Sequence, residues 1–277
     1  MRTIVFSSQK GGSGKTTLCG QLAIQADLDG MGPVALIDTD PQGSLSDWWN
    51  ARTAETPMFV QTDVECLADT LEELRATGVK LVFIDTQPTV TNVIRDIVNC
   101  SDLVVIPTRP SPHDLRAVGP TLDLVEQCGK PIVFAVNCAT RRARITSDTA
   151  VALSQHGTVA PVTVHNRTDF ATSMIDGRAV MEIKPDSPSS KEIGALWNYL
   201  NARLNRLDRP RTEILFGVSR KAPEIQSEET SEASLGAFSA LDETAPGWTP
   251  GINPGAERHA PSSFGRRAVP ASNHAGV

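Results

Sequence analysis

A short apolar run, Thr3-Ile4-Val5-Phe6, leads into Lys10-Gly11-Gly12-Ser13-Gly14-Lys15-Thr16-Thr17 and then into an apolar stretch of helical length, Leu18 to Leu28. Strand, glycine-rich turn and helix in direct succession constrain this chain more than any other feature. A turn of this kind aims backbone N–H groups at one point, at the positive end of the helix dipole, and phosphate fits there. Lys15 is spaced to reach the β- and γ-phosphates of a nucleotide, and the Thr16 hydroxyl to coordinate Mg²⁺. The common rule for such loops, Gly-x-x-x-x-Gly-Lys-Ser/Thr, places glycine at position 9, where this chain has Gln9. A second lysine, Lys10, opens the loop instead.

Strand-length apolar runs recur along the chain at Thr3–Phe6, Val34–Ile37, Leu81–Ile84, Leu103–Ile106, Ile132–Val136 and Val159–Val164. Most are continuous rather than alternating, as in parallel strands buried on both faces. Helical patterns separate them, at Lys15–Leu28, Cys66–Thr77, Val93–Asn99, Leu115–Gln127 and Thr146–Gln155. Ser189–Leu207 closes the series, with Ile193, Leu196, Trp197, Leu200 and Leu204 on one face. The alternation predicts an α/β fold: a doubly wound, mostly parallel sheet flanked by helices, in a single domain over residues 1–207. Beyond Asp208, Pro, Gly, Ser, Glu and Ala dominate without apolar periodicity, so residues 208–277 are expected to be a disordered tail.

Two carboxylate motifs follow. Asp38-Thr39-Asp40-Pro41-Gln42-Gly43 comes straight after the Val34–Ile37 run, where doubly wound folds place their ligands. Leu81-Val82-Phe83-Ile84-Asp85-Thr86 is an apolar strand ending in a carboxylate suited to Mg²⁺. Asn137, at the end of another strand, can donate to and accept from an adenine edge, or simply satisfy a turn. In Pro107–Leu115, Asp114 is placed to cap the next helix.

The lysine-led loop, the Asp-x-Asp-Pro-Gln-Gly stretch and the Asp85 strand, in this order, resemble the ParA/MinD superfamily of P-loop ATPases with a deviant Walker A motif. The small plasmid-type ParA proteins are the nearest in pattern. The likeness spans about residues 1–207. It departs at Gln87, where Asp-Thr is usually followed by proline. The resemblance implies an ATPase using ATP and Mg²⁺. Gly11, Gly12, Ser13, Gly14, Lys15, Thr16 and Thr17 would hold the phosphates and Asn137 the adenine. Thr16, Asp38 and Asp85 would serve the metal, and Asp40 would orient the attacking water. Lys10 would act across an ATP-bound homodimer. The expected partners are a ParB-like adaptor and non-specific DNA, with no operator-binding domain ahead of the first strand. The expected task is partition of plasmid or chromosomal DNA. The alternatives are the positioning of a protein assembly and a nucleotide-dependent scaffold with negligible turnover.

Net charge is −6, which excludes a uniformly basic nucleic-acid coat but not a local patch. Arg141, Arg142 and Arg144 form such a cluster, followed by Arg167, Arg178 and Lys184. These are either a solvated face or contacts to a DNA backbone. The family likeness around Asn166–Ala171 singles out Arg167. The five cysteines include no Cys-x-x-Cys pair and fall in or near apolar segments, so most are expected in the core of a protein in a reducing compartment. A strand pattern at the very start, with no signal peptide and no apolar run of membrane length, predicts a cytoplasmic protein, nucleoid-associated if it holds DNA. No membrane partner is expected, because the stretch ending Arg266-Arg267-Ala268-Val269-Pro270 has no apolar face.

Overall fold

The computed structural model describes residues 1–207. The stretch 208–277, expected as a tail, lies outside the described residues. Seven parallel strands form one sheet. They are β1 (Arg2–Phe6), β2 (Val34–Asp38), β3 (Met58–Val60), β4 (Leu81–Asp85), β5 (Leu103–Thr108), β6 (Ile132–Val136) and β7 (Thr158–Val159). Their spatial order is β3-β2-β4-β1-β5-β6-β7. The sheet therefore grows to one side of β1 and then to the other. The loop after β1 lies where the winding reverses, the ordinary ligand position of a doubly wound sheet.

Helices cover both faces. On one lie α1 (Lys15–Leu28), α2 (Ser44–Asn50), α8 (Val180–Ile183) and α9 (Pro188–Leu207), packed on Ile4, Phe6, Leu36 and Phe83. On the other lie α3 (Leu67–Ala76), α4 (Asn92–Asn99), α5 (Pro112–Gln127) and α6 (Arg144–Ser154), packed on Val5, Ile37, Val82 and Ile84. Side chains alternate across each strand, so continuous apolar runs feed both cores at once. The short α7 (Thr168–Ser173) adds a further turn. The predicted stripe Ile193, Leu196, Trp197, Leu200 and Leu204 of α9 is buried throughout.

Helix α1 is buried on nearly every side. Gly20 is needed there, because a β-carbon would come within 2.9 Å of the Trp48 ring of α2. Gln21 is fully buried yet satisfied: its amide donates to Ser173 Oγ at 3.0 Å and accepts from Val180 N–H at 2.8 Å. These contacts anchor the helix that carries the phosphate loop.

Some expectations need correction. Residues 159–164 do not form one strand: β7 stops at Val159, and Pro161, which has no N–H, interrupts the ladder before Val164 N–H rejoins Val136 O at 2.9 Å. Helix α5 is capped by Ser111, whose hydroxyl accepts from Asp114 N–H at 3.0 Å, and not by Asp114. Of the cysteines only Cys19 is buried; Cys66 is exposed and Cys100, Cys128 and Cys138 are half-buried. None of the described helices is long and apolar enough to cross a membrane.

Candidate functional site

Strand register builds the site. Phe6, the last residue of β1, pairs with Asp85 of β4, and Asp85 pairs with Asp38 of β2. The glycine loop after β1 thus opens beside two strand-terminal carboxylates. Gly14 ends the loop in a left-handed conformation, φ 95°, and α1 starts at Lys15. Gly11 and Gly12 are exposed, whereas Ser13 and Lys15 are buried.

Thr16 Oγ1 donates to Asp85 Oδ2 at 2.5 Å. The other oxygen, Asp85 Oδ1, is buried without a hydrogen-bond partner. Burial pushes the Asp85 pKa up to about 7, against the pull of the Thr16 hydrogen bond. Burial also lowers the Lys15 pKa, opposed by the charges of Asp85 and Asp40. A hydroxyl, a carboxylate with one vacant acceptor and a desolvated ammonium, gathered at a helix N-terminus, could receive a phosphate chain and its divalent cation. Thr39 reinforces the corner, with both its N–H and its hydroxyl donating to the Asp85 carbonyl, at 3.0 and 2.6 Å.

Asp38, expected to serve the metal, also holds backbone. Its Oδ1 accepts from Asp40 N–H at 3.0 Å. Its Oδ2 accepts from Leu45 N–H at 3.1 Å, Ser46 N–H at 2.9 Å and Ser46 Oγ at 3.0 Å. Three of these four donors crowd onto Oδ2, and Oδ1, with one donor, keeps an acceptor position. Asp38 therefore shapes the turn that bears Asp40 and holds the start of α2. Asp40 is half-buried and lines an open cleft with Gln61, Thr62 and Asp63. One of its oxygens accepts from Gln42 N–H at 3.0 Å.

Asn137 locks the loop from the other side. Its Nδ2 donates to Ser13 O at 2.8 Å, and a β-carbon on Gly14 would lie 2.1 Å from that nitrogen. Asn137, Thr17, Val164, His165 and Phe170 line a small cleft next to Gly14, which could take one face of a base. Lys10 is half-buried, and its ammonium has no hydrogen bond or ion pair among the described residues. Gln87, the departure from the family pattern, is half-buried just beyond Asp85.

The basic residues divide into two groups. Arg141 and Arg142 are exposed, and the Arg144 side chain is 94% exposed with only a loose approach to Asp148. Arg167, by contrast, is 15% exposed and paired with Glu192, which also accepts from His165. Burial alone would raise the Glu192 pKa, but its bonds to Arg167 and His165 hold it below the ordinary value. Arg178 pairs with Asp176, and Lys184 with Asp169. The resemblance that singled out Arg167 thus points to an arginine whose charge is already matched. Sequence reasoning assigned no role to Arg109, an unspecified position of the Pro107–Leu115 segment, which comes near the glycine loop from the end of β5.

The family model of the VirC1 protein matches residues 1–191. The chain is 27% identical over 193 residues to the maintenance of carboxysome distribution protein A of Halothiobacillus neapolitanus, covering 65% of this chain and 87% of that one. It is 29% identical over 129 residues to the protein ParA of Rhizobium radiobacter, covering 46% and 57%. Its fold is similar to that of the septum site-determining protein MinD of Pyrococcus horikoshii, solved in complex with Mg-ADP. The TM-score is 0.60 at 15% identity, over 76% of this chain and 99% of that one. The strand register, the lysine-led loop and these matches agree: the chain belongs to the VirC1 protein family, within the ParA/MinD superfamily of P-loop ATPases.

Proposed function

We propose that this protein is a Mg²⁺-dependent ATPase that dimerises with ATP, holds DNA without sequence preference, and drives partition of plasmid or chromosomal DNA. One observation carries the reading: the Thr16 hydroxyl on a buried Asp85 whose second oxygen has no partner, next to the desolvated Lys15. Left without a ligand, that grouping costs stability, so its presence argues for one. A solved MinD of similar fold holds Mg-ADP, which supports the choice of ligand.

In this reading residues 1–207 are the ATPase domain and 208–277 a tail. Backbone N–H groups from Gly11 to Thr17 cradle the phosphates, and Lys15 neutralises them. Thr16 and Asp85 would hold Mg²⁺, with Asp38 supporting the metal region, and the ion would supply positive charge to the terminal phosphates. Asp40, held by Asp38, orients the attacking water. Hydrolysis of a terminal phosphate depends on such positioning more than on a strong base. Lys10 of each subunit reaches toward the other's phosphates, where negative charge develops, and its lack of a hydrogen bond or ion pair among the described residues fits that use. Asn137 contacts the adenine. Arg141, Arg142 and Arg144 supply backbone-only DNA contacts. The partners are a ParB-like adaptor and DNA, in a cytoplasmic, nucleoid-associated setting.

A second reading keeps the switch and changes the cargo to a protein assembly. The match to the carboxysome distribution protein favours it, since it covers 87% of that chain, against 57% of ParA.

The test is retention on DNA at fixed moderate salt, with ATP and Mg²⁺, with ADP, and for Lys10→Ala with ATP. Retention of the wild type with ATP alone is expected. ATP-dependent dimerisation without retention in any state rejects DNA as the tether. Normal ATP turnover by Lys10→Ala rejects the trans-acting lysine.

A further inference from the structure

Arg109 follows β5 directly, and β5 lies beside β1 in the sheet. Its Nε and Nη2 donate to the two oxygens of Asp114, at 2.9 and 3.3 Å. Asp114 is buried in the first turn of α5 and accepts a further bond from Ser111 Oγ at 2.5 Å. A guanidinium is planar, so clamping one edge of it aims the other. The aimed edge is Nη1, which has no acceptor among the described residues. It lies 3.8 Å from the point that a β-carbon on Gly12 would occupy. The side chain remains 36% exposed, so that edge is open to a ligand.

A buried carboxylate such as Asp114 could be satisfied by any donor. An arginine that turns its second edge toward a phosphate-type loop does more. Gly12 has no side chain to shield the loop from it, and the protein is acidic overall, with net charge −6, so a further cation at this rim changes the local field for an anion. Together with Lys15 beneath the loop and Lys10 at its start, Arg109 brings cations to three sides of the same turn.

We propose that Arg109 is a phosphate-contacting residue, its open Nη1 edge donating to a phosphate oxygen of the nucleotide on the Gly11–Thr17 loop, with Asp114 as the residue that positions it. This rests on the ATP-binding reading above. The experiment is titration of the full chain with fluorescent ATP and ADP analogues in Mg²⁺, at two salt concentrations, for wild type, Lys15→Ala, Arg109→Ala and Arg109→Lys. Arg109→Ala is expected to bind at least one of the two nucleotides about tenfold more weakly. Its affinity should also depend less on salt than the wild type's, because a charged contact is gone. Arg109→Lys, which keeps the charge and loses the fork, should recover part of both. Wild-type affinity and salt dependence in Arg109→Ala would overturn the inference and leave the ATP reading standing. So would a loss matched by a lower melting temperature, with unchanged salt dependence and no recovery in Arg109→Lys, since that is the mark of a purely structural pair. A wild-type protein that binds neither nucleotide, no better than Lys15→Ala, would overturn both.

Discussion

Two corners of this molecule bury charge, and they do it in opposite ways. At the first, Arg52 and Glu182 form a two-pronged pair whose remaining needs are met nearby. Arg52 also donates to Thr56 O and Gly177 O, and Glu182 also accepts from Ala179 N–H. Burial would raise the Glu182 pKa, but Arg52 outweighs it and holds it low. At the second corner, Thr16 and Asp85 share one close hydrogen bond, Lys15 meets Asp85 only through its charge, and one carboxylate oxygen has no partner. Here desolvation wins, lowering Lys15 and raising Asp85. The first corner fastens the loop before α8 to the end of α2. The second is an incomplete set, which a phosphate and a cation would complete. Incomplete satisfaction inside a folded chain is a sign of a ligand site.

The comparison can be broken in several ways. The largest effect is expected for Lys15→Ala: loss of nucleotide binding on the order of a thousandfold or more, without a lower melting temperature in nucleotide-free protein, because a desolvated charge has been removed. A melting temperature that falls as binding is lost would make Lys15 a structural residue. Asp85→Asn keeps an acceptor for Thr16 and removes the charge. Steady-state phosphate release should fall on the order of a hundredfold, and the ligand-free fold should be at least as stable as wild type. Arg52→Ala should do the reverse. Leaving Glu182 half-buried and unpaired costs about 3 kcal/mol in denaturant unfolding, while turnover per folded molecule stays the same. Turnover that falls with stability in this variant would erase the distinction between the corners.

The smallest effect concerns pH. The Asp85 pKa rises on folding from 3.8 to about 7, so the folded state holds the proton more tightly than the unfolded chain. Its contribution is therefore most favourable below 3.8 and is lost as pH rises toward 7. In Mg²⁺-free, nucleotide-free protein, the wild-type melting temperature should fall relative to Asp85→Asn between about pH 5 and about pH 8. Parallel curves for the two proteins would show that Asp85 is ionised without a ligand.

The long elements and the loop were legible because their signals are local. β1, the glycine turn and α1 follow one another without a gap, and β4 and β5 are unbroken apolar runs. What was not legible depends on distant partners or on short segments. The edge strand β3 has three residues, and α2, α7 and α8 span at most two turns, too few for a period to show. Asp38 and Asp40 differ in sequence only by the family resemblance, not by any local pattern. Only the fold of α2 back onto Asp38 separates the carboxylate that shapes the turn from the one left beside the cleft. Arg167 stood out by family likeness, and only the packing of α9 shows Glu192 against it. Arg109 sits in the marked Pro107–Leu115 segment at a position that the pattern leaves open, and its relation to Gly12 arises only when β5 is laid beside β1.

The interlock of Gly14 with Asn137 has a consequence for how such a chain can vary. The amide fills the space where a side chain at position 14 would begin, so a residue far along the chain helps to hold position 14 to glycine. A smaller residue at 137 would clear that space, but the φ of 95° at position 14 would still favour glycine. That smaller residue gives up the tie to Ser13 and, with it, the loop geometry. Position 14 is closed to side chains twice over, by the amide and by its positive φ, whereas a change at 137 costs the tie to Ser13 without a clash.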